Sequence, residues 1–378
     1  EISTLPLHDA FPVFFDFYFG KYRLIALEVV EGKCQMLVDN SGRANYVFWD
    51  SQNKEESSFS TELQQLTLKD IEYRYDDFSK GISVFFDIEK ATLQGNFEDQ
   101  IFDLAVEAEL SDPDIQLGEL KLFRDREIWL QADLSVNQRE EILELASAQM
   151  LLDQMSFQLF GSYTYAGADK MQLQMASNDL SLRSAIGLLP PSLRKKLDRF
   201  EIKGMASFEG GISGLVSEPS YAFQFGATNG LLNDKESDLL FENTNLRGSI
   251  SNGDENSLKT TVLQLDTIES SLRNGKIRGS CRVKNFVQPE YWYEGNVSFD
   301  LEELVELMRW KEFSEVSGSV SSNFSFRGKM KELGNYDFAD WKKSELQGSM
   351  TVNDIQFRNK ALPYLLSEIN GELSFSNT

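Results

Sequence analysis

Residues 101–110 read IFDLAVEAEL. Phe102, Leu104, Val106, Ala108 and Leu110 fall on one side of an extended chain, while Asp103, Glu107 and Glu109 fall on the other. Alternation of this kind marks a strand with one face in an apolar layer and the other in water. The period recurs at Leu66 and Leu68, at Ile71, Tyr73 and Tyr75, and at Ile82, Val84, Phe86 and Ile88. It returns at Met171, Leu173 and Met175, at Tyr221, Phe223 and Phe225, at Val297, Phe299 and Leu301, and at Phe324 and Phe326. Turn signals separate these runs: Asp39-Asn40-Ser41-Gly42, Ser111-Asp112-Pro113, Thr228-Asn229-Gly230, Ser251-Asn252-Gly253 and Arg273-Asn274-Gly275. Short connections favour antiparallel neighbours, so the expectation is a mainly β protein of about 20–24 strands.

Helical spacing interrupts the strands. In residues 137–155, Ile142, Leu145, Ala146, Met150 and Leu151 fall at helical intervals. Residues 181–200 read as two short helices broken at Pro190-Pro191, because proline disfavours helix in the residue before it. Residues 300–310 open on Asp300, a candidate N-cap ahead of an apolar face. Residues 335–343 and 361–367 carry weaker helical signals.

An aliphatic residue, any residue, then Gly forms a recurring triplet, as in Leu93-Gln94-Gly95, Leu246-Arg247-Gly248, Ile277-Arg278-Gly279 and Leu346-Gln347-Gly348. Glycine within a strand marks a bulge, a bend or a close approach of backbone. Repeated along a sheet, it would let many strands curl the same way.

Composition narrows the function. Of 378 residues, 41% are apolar and 28 are Phe, enough for a sizeable core. Sixty acids against 37 bases give a net charge of −23. That balance argues against a nucleic-acid partner, whose phosphates require clustered Lys and Arg, and against adhesion to anionic lipid through a polybasic surface. One histidine, His8, leaves little room for His-based catalysis or metal binding. No serine-hydrolase elbow, phosphate-binding loop or zinc-protease motif occurs, so no catalytic residue, metal or cofactor is assigned. Asp112, Asp114 and Glu119 have the chemistry of loop calcium ligands but read more simply as a solvated acidic turn. Cys34 and Cys281 lie 247 positions apart, and sequence leaves open whether they meet. The longest apolar stretch, residues 11–30, is interrupted by Asp16, Lys21, Arg23 and Glu28 and is no transmembrane helix.

Many strands, each apolar on one face, must bury that face somewhere. If the sheet curls into an open trough, the apolar side becomes a groove suited to acyl chains, each buried CH₂ contributing about 0.8 kcal/mol. The candidate lining is Phe102, Leu104, Val106, Phe223, Phe225, Val297, Phe299, Phe324 and Phe326.

The stretch YRLIALEVVEGKCQMLVDNSGRANYVFWD (22–50) resembles the AsmA-like family of bacterial envelope proteins, the match falling on Asp39, Gly42, Ala44, Asn45 and Tyr46. Residues 63–110 look like the family's next β unit. Residues 188–230 are similar to its C-terminal module, with a turn from Gly214 to Pro219, and GNVSFDLEELVELMRW (295–310) fits a strand–helix unit. The resemblance implies an elongated, twisted, curled antiparallel sheet with a few short helices, an open trough of the bridge-like lipid-transfer type. It divides the chain into an N-terminal β unit (1–135), a strand pair with a helical insert (136–200) and a C-terminal β module continuing the same sheet (201–378). It implies phospholipid acyl chains as cargo and a periplasmic location. An inner-membrane anchor would precede this stretch, which begins at Glu1 without an initiator Met, and an outer-membrane or other envelope protein would be a partner. Two rivals remain: an envelope scaffold or outer-membrane assembly factor that captures client strands by β-augmentation, and a carbohydrate-binding β-sandwich.

Overall fold

The computed structural model describes residues 22–23, 25–45, 59–60, 63–97, 100–118, 120–122, 126–165, 167, 169–187, 194–195, 197–235, 240–272, 274–308, 310–329, 343–362 and 364–377. Among the described residues 75% are strand and 4% helix, and one mixed sheet of 17 strands is not closed. The chain divides into two compact units, Glu1–Met175 with Ile212–Pro219, and Ala176–Gly211 with Ser220–Thr378.

The longer strands are β1 (Ala26–Val38), β2 (Gln65–Asp77), β3 (Ile82–Gly95), β4 (Ile101–Leu117), β5 (Glu127–Asn137), β6 (Ile142–Leu152), β7 (Met155–Thr164) and β8 (Lys170–Ser181). After the helix α1 (Leu182–Ile186) come β9 (Phe200–Leu215), β10 (Glu218–Asp234), β11 (Leu240–Ser251), β12 (Val262–Leu272), β13 (Gly275–Lys284) and β14 (Glu290–Asp300). The helix α2 (Leu301–Met308) precedes β15 (Phe313–Lys329), β16 (Glu345–Asn359) and β17 (Leu366–Ser376). Within this sheet, chain neighbours pair antiparallel from β2 to β7 and from β10 to β17. The exception is β1, which runs parallel to β2. The long 39–64 connection permits it, since parallel neighbours need a crossover.

Several expectations are corrected. Residues 137–155 form no helix but the end of β5, all of β6 and the start of β7. The Asn137 carboxamide oxygen accepts the Arg139 and Glu140 N–H groups at 3.1 Å each and turns the chain. A two-residue turn at Asp153-Gln154, with Asp153 at φ 54°, reverses it again. The apolar residues of β6 follow a broken period of two, Leu143 and Leu145, then Ala148, Met150 and Leu152. Asp133 pairs with Ser147 and Leu134 with Leu145, so a bulge at Ala146 inserts the extra residue that imitates helical spacing.

Ser111-Asp112-Pro113 and Thr228-Asn229-Gly230 are likewise not turns. They are bulges inside β4 and β10, with Asp112 at φ 48° and Asn229 at φ 50°. Asx residues tolerate the left-handed region that both a turn and a bulge require, so sequence does not separate the two. With this merging of runs the large sheet holds 17 strands, and with three short ones the described residues hold 20, the low end of the 20–24 expected. None of the described residues in 361–367 is helical: Ala361 lies in a turn, and Leu366 and Ser367 begin β17. Arg194, Lys195 and Leu197 are helical, as expected after α1, while Pro190-Pro191 and nearly all of 335–343 lie outside the described residues. The helix α2 stands where expected, though Asp300 ends β14 and accepts a bond from the Asn274 amide at 2.6 Å.

Bulges also explain the curl. Val30 pairs with Lys69 and Gly32 with Ile71, which sets Glu31 (φ 55°) and Asp70 (φ 53°) opposite each other. That pair keeps the register, whereas on the following strands register shifts fall between Ile88 and Lys90 on β3 and at Asp112 on β4. Four adjacent strands thus bend at one level. In the second unit, Asn229 and Asn243 form one such level, and Glu315, Asp354 and Glu368 another. Within the first unit the bending brings distant strands together: Ile82, Leu117 and Val216 form a buried cluster against Tyr75, Val84, Ile115, Tyr163 and Met171. A Lys80–Asp169 ion pair fastens the same closure.

Candidate functional site

The register assigns every strand residue to one of two faces. In the first unit, apolar side chains line up row by row from β2 to β7. Ile71, Ile88, Leu110, Ile128, Leu152 and Met155 make one row, and Leu68, Ala91, Ala108, Leu130, Met150 and Phe157 the next. Leu66, Leu93, Val106, Ala132, Ala148 and Leu159 make a third. Leu104 sits in a fourth row with Leu134 and Leu145, and Phe102 in a fifth with Val136, Leu143 and Tyr163. This face lies inside the curl and lines a cavity of about 450 Å³. Val84, Val106, Leu134, Leu145, Leu159 and Met171 contribute to its wall. Asp169, paired with Lys80, borders it, and that hydrogen bond raises the Lys80 ammonium's pKa above its ordinary value.

The second unit repeats the pattern across eight strands. Phe225, Gly248, Leu265, Cys281, Tyr293, Phe326 and Leu346 stand side by side from β10 to β16. Phe223, Ile250, Leu263, Val283 and Tyr291 form the row beside it. Phe324 shares a row with Ala227, Leu246 and Phe375, Val297 one with Ile277, Met350 and Leu373, and Phe299 one with Val320 and Val352. Rings stack along this face: Phe223 on Phe208 at 4.9 Å, Phe326 near Tyr291 at 5.2 Å, and Phe324 near Tyr293 at 5.3 Å between centroids. The glycines of the recurring triplet make room for rings. A Cβ on Gly248 would meet the Phe225 ring at 2.9 Å, and one on Gly348 the Phe375 ring at 2.8 Å. Burial raises the pKa of both the Cys281 thiol and the Tyr293 phenol, the direction that poorly hydrated surroundings impose.

All nine candidate residues therefore share the apolar face of their unit. Leu104 and Phe299 are buried, and the other seven are half-buried. Sequence reasoning missed Leu143, Leu145, Leu159 and Tyr163 in the cavity wall, the first two because they were read as helical. It also missed Leu246, Leu265, Tyr291 and Tyr293. Their alternation is interrupted by Gly, Ser and Cys, which register assigns to the same face.

The opposite face is charged and cross-linked by ion pairs between neighbouring strands: Lys33–Glu72 at 2.6 Å, Lys329–Glu290 at 2.7 Å and Arg278–Glu269 at 2.9 Å. Such exposed pairs contribute little stability but keep this face in water. Both cysteines are free thiols. Among the described residues no group of three His, Cys, Asp or Glu could hold a metal, and Glu119 of the acidic trio lies outside them. His8 and Tyr46 also lie outside them. No helix among the described residues is long and apolar enough to cross a membrane. No family model, curated protein or solved structure matches the chain.

Proposed function

We propose that this protein binds phospholipid acyl chains along its apolar sheet face and acts without catalysis as a lipid carrier of the bacterial envelope. In this reading it works in the periplasm, passes phospholipid between inner and outer membranes, and is held at the inner membrane by a preceding segment. The observation that carries the reading is the set of apolar rows on one face of each unit, which in the first unit walls a cavity of about 450 Å³. That volume lies within the usual range of small-ligand sites, and its wall is almost wholly hydrocarbon. The AsmA-like resemblance of residues 22–50, 188–230 and 295–310 supplies the envelope context.

Photo-cross-linking tests it. A benzophenone side chain at Val106 or Val297 is expected to yield phospholipid adducts in cells. The same group at Glu107 or Asn296, one residue along on the charged face, is expected to yield none. Equal labelling from both faces, or none from either, would count against the reading.

The scaffold reading is favoured by one feature. Among the described residues β1 is paired only with β2, and on its apolar side Leu27 is 41% exposed. An edge of this kind accepts an added strand. The carbohydrate reading presumed two stacked sheets, whereas these strands form one.

A further inference from the structure

In the second unit, the apolar face runs out to the surface through aromatic rings. Phe357, on β16, meets Phe313 edge-on at 5.5 Å, and Phe313 in turn lies 5.9 Å from Trp310. Trp310 is fixed at the end of α2, its N–H donating to the Val305 carbonyl at 3.1 Å and its carbonyl accepting the Phe313 N–H at 3.3 Å. The turn between β16 and β17 sits beside it, because the Lys360 N–H donates to the Glu312 carbonyl at 3.0 Å. That turn is itself braced, with Asn359 accepting the Ala361 N–H on its side chain and the Leu362 N–H on its carbonyl.

These two neighbouring segments hold large side chains in water. Trp310 is 38% exposed, Tyr364 58% and Leu365 36%. Exposed Lys311 and Lys360 flank them, with Glu312 as the nearby carboxylate, while Arg358 and Glu315 neutralise each other at 2.8 Å. Trp and Tyr beside Leu and Lys is the chemistry of a bilayer interface: indole and phenol rest at headgroup depth, the aliphatic side chain reaches the acyl boundary, and ammonium groups meet phosphates. The net charge of −23 does not decide the matter, because at physiological ionic strength only charges within about 8 Å of a phosphate act on it strongly.

We propose that Trp310, Tyr364 and Leu365, with Lys311 and Lys360, dock this protein reversibly on the surface of a phospholipid bilayer. The inference extends the lipid-carrier reading by locating where an acyl chain passes between membrane and apolar face, along the Trp310–Phe313–Phe357 rings.

Vesicle flotation tests it with the intact chain. The unaltered protein is expected to float with vesicles of phosphatidylcholine and phosphatidylglycerol, and less with phosphatidylcholine alone. Tyr364→Asp with Leu365→Asp is expected to weaken partitioning about tenfold or more. Lys311→Glu with Lys360→Glu is expected to weaken it to a similar degree and to remove the preference for anionic vesicles. Both pairs are exposed, and unchanged circular dichroism would show that the fold survives. No flotation of the unaltered protein, or equal flotation of the Asp variant, overturns the docking. Failure here is separable from failure of the carrier reading. A protein that co-purifies with phospholipid but ignores vesicles sinks the docking alone, and one that floats but carries no phospholipid sinks the carrier alone.

Discussion

Replacing Phe223 and Phe225 together by Asp is expected to reduce phospholipid adducts formed from a photo-reactive group at Val297 by more than tenfold. The two rings lie on adjacent apolar rows, with Phe223 stacked on Phe208 and Phe225 set over Gly248. Two carboxylates there would hydrate the face they now keep dry. Losing contact with only two methylenes costs an acyl chain about 1.6 kcal/mol, already more than a tenfold loss of affinity. The control is Ala222→Asp with Gln224→Asp, which adds the same charge on the exposed side of the same strand and is expected to change nothing. If client strands are instead captured at an edge, the Phe variants should retain client binding, and adduct yield should have no bearing on function. Undiminished adducts in the Phe223→Asp, Phe225→Asp protein would remove this face from consideration as a lipid path.

The second large effect concerns stability. Leu152→Ala is expected to lower the free energy of unfolding by about 3–5 kcal/mol, and Leu151→Ala by less than about 1 kcal/mol. Leu152 is 1% exposed, in the row that includes Ile128 and Met155, whereas Leu151 is 39% exposed on the other face. A helix over 137–155 would instead put Leu151 on its apolar face with Leu152 turned about 100° away, and would predict the larger loss from Leu151→Ala. Urea unfolding of both variants separates the alternatives. A larger loss from Leu151→Ala than from Leu152→Ala would mean that the β6 register is wrong, because a slip of one residue exchanges the faces.

That pair also marks where the sequence was legible. The alternation in 101–110 identified the strand, its apolar face and three of the nine candidate residues, because no bulge interrupts those ten positions. Asp39 was legible as a turn residue, its carboxylate accepting the Ser41 and Arg43 N–H groups. Bulged strands were not legible. One inserted residue, as at Ala146, Asp112 or Asn229, breaks the period of two while the hydrogen-bonded ladder continues past it. Local sequence registers the insertion as a turn or a helix, and only the partner strand shows that the chain goes on. The bulges that hid the strand lengths also bend the sheet, so the curl lay in the same acidic and amide residues that were read as punctuation. Rows of apolar residues were equally out of reach, because a row is a property of register between strands up to dozens of residues apart. The glycine triplet was legible in part: Gly248 and Gly348 mark close approach, but most left-handed bulge positions are Asn, Asp or Glu.

The central claim is that the apolar rows are covered by acyl chains when the protein is at work. Its most direct test is mass spectrometry of organic extracts from the protein purified without detergent, quantified per mole of chain. About one phospholipid or more per chain is predicted, recovered reproducibly and absent from a matched extract of an unrelated periplasmic protein. Extracts from several independent preparations with no phospholipid above that background would contradict the account.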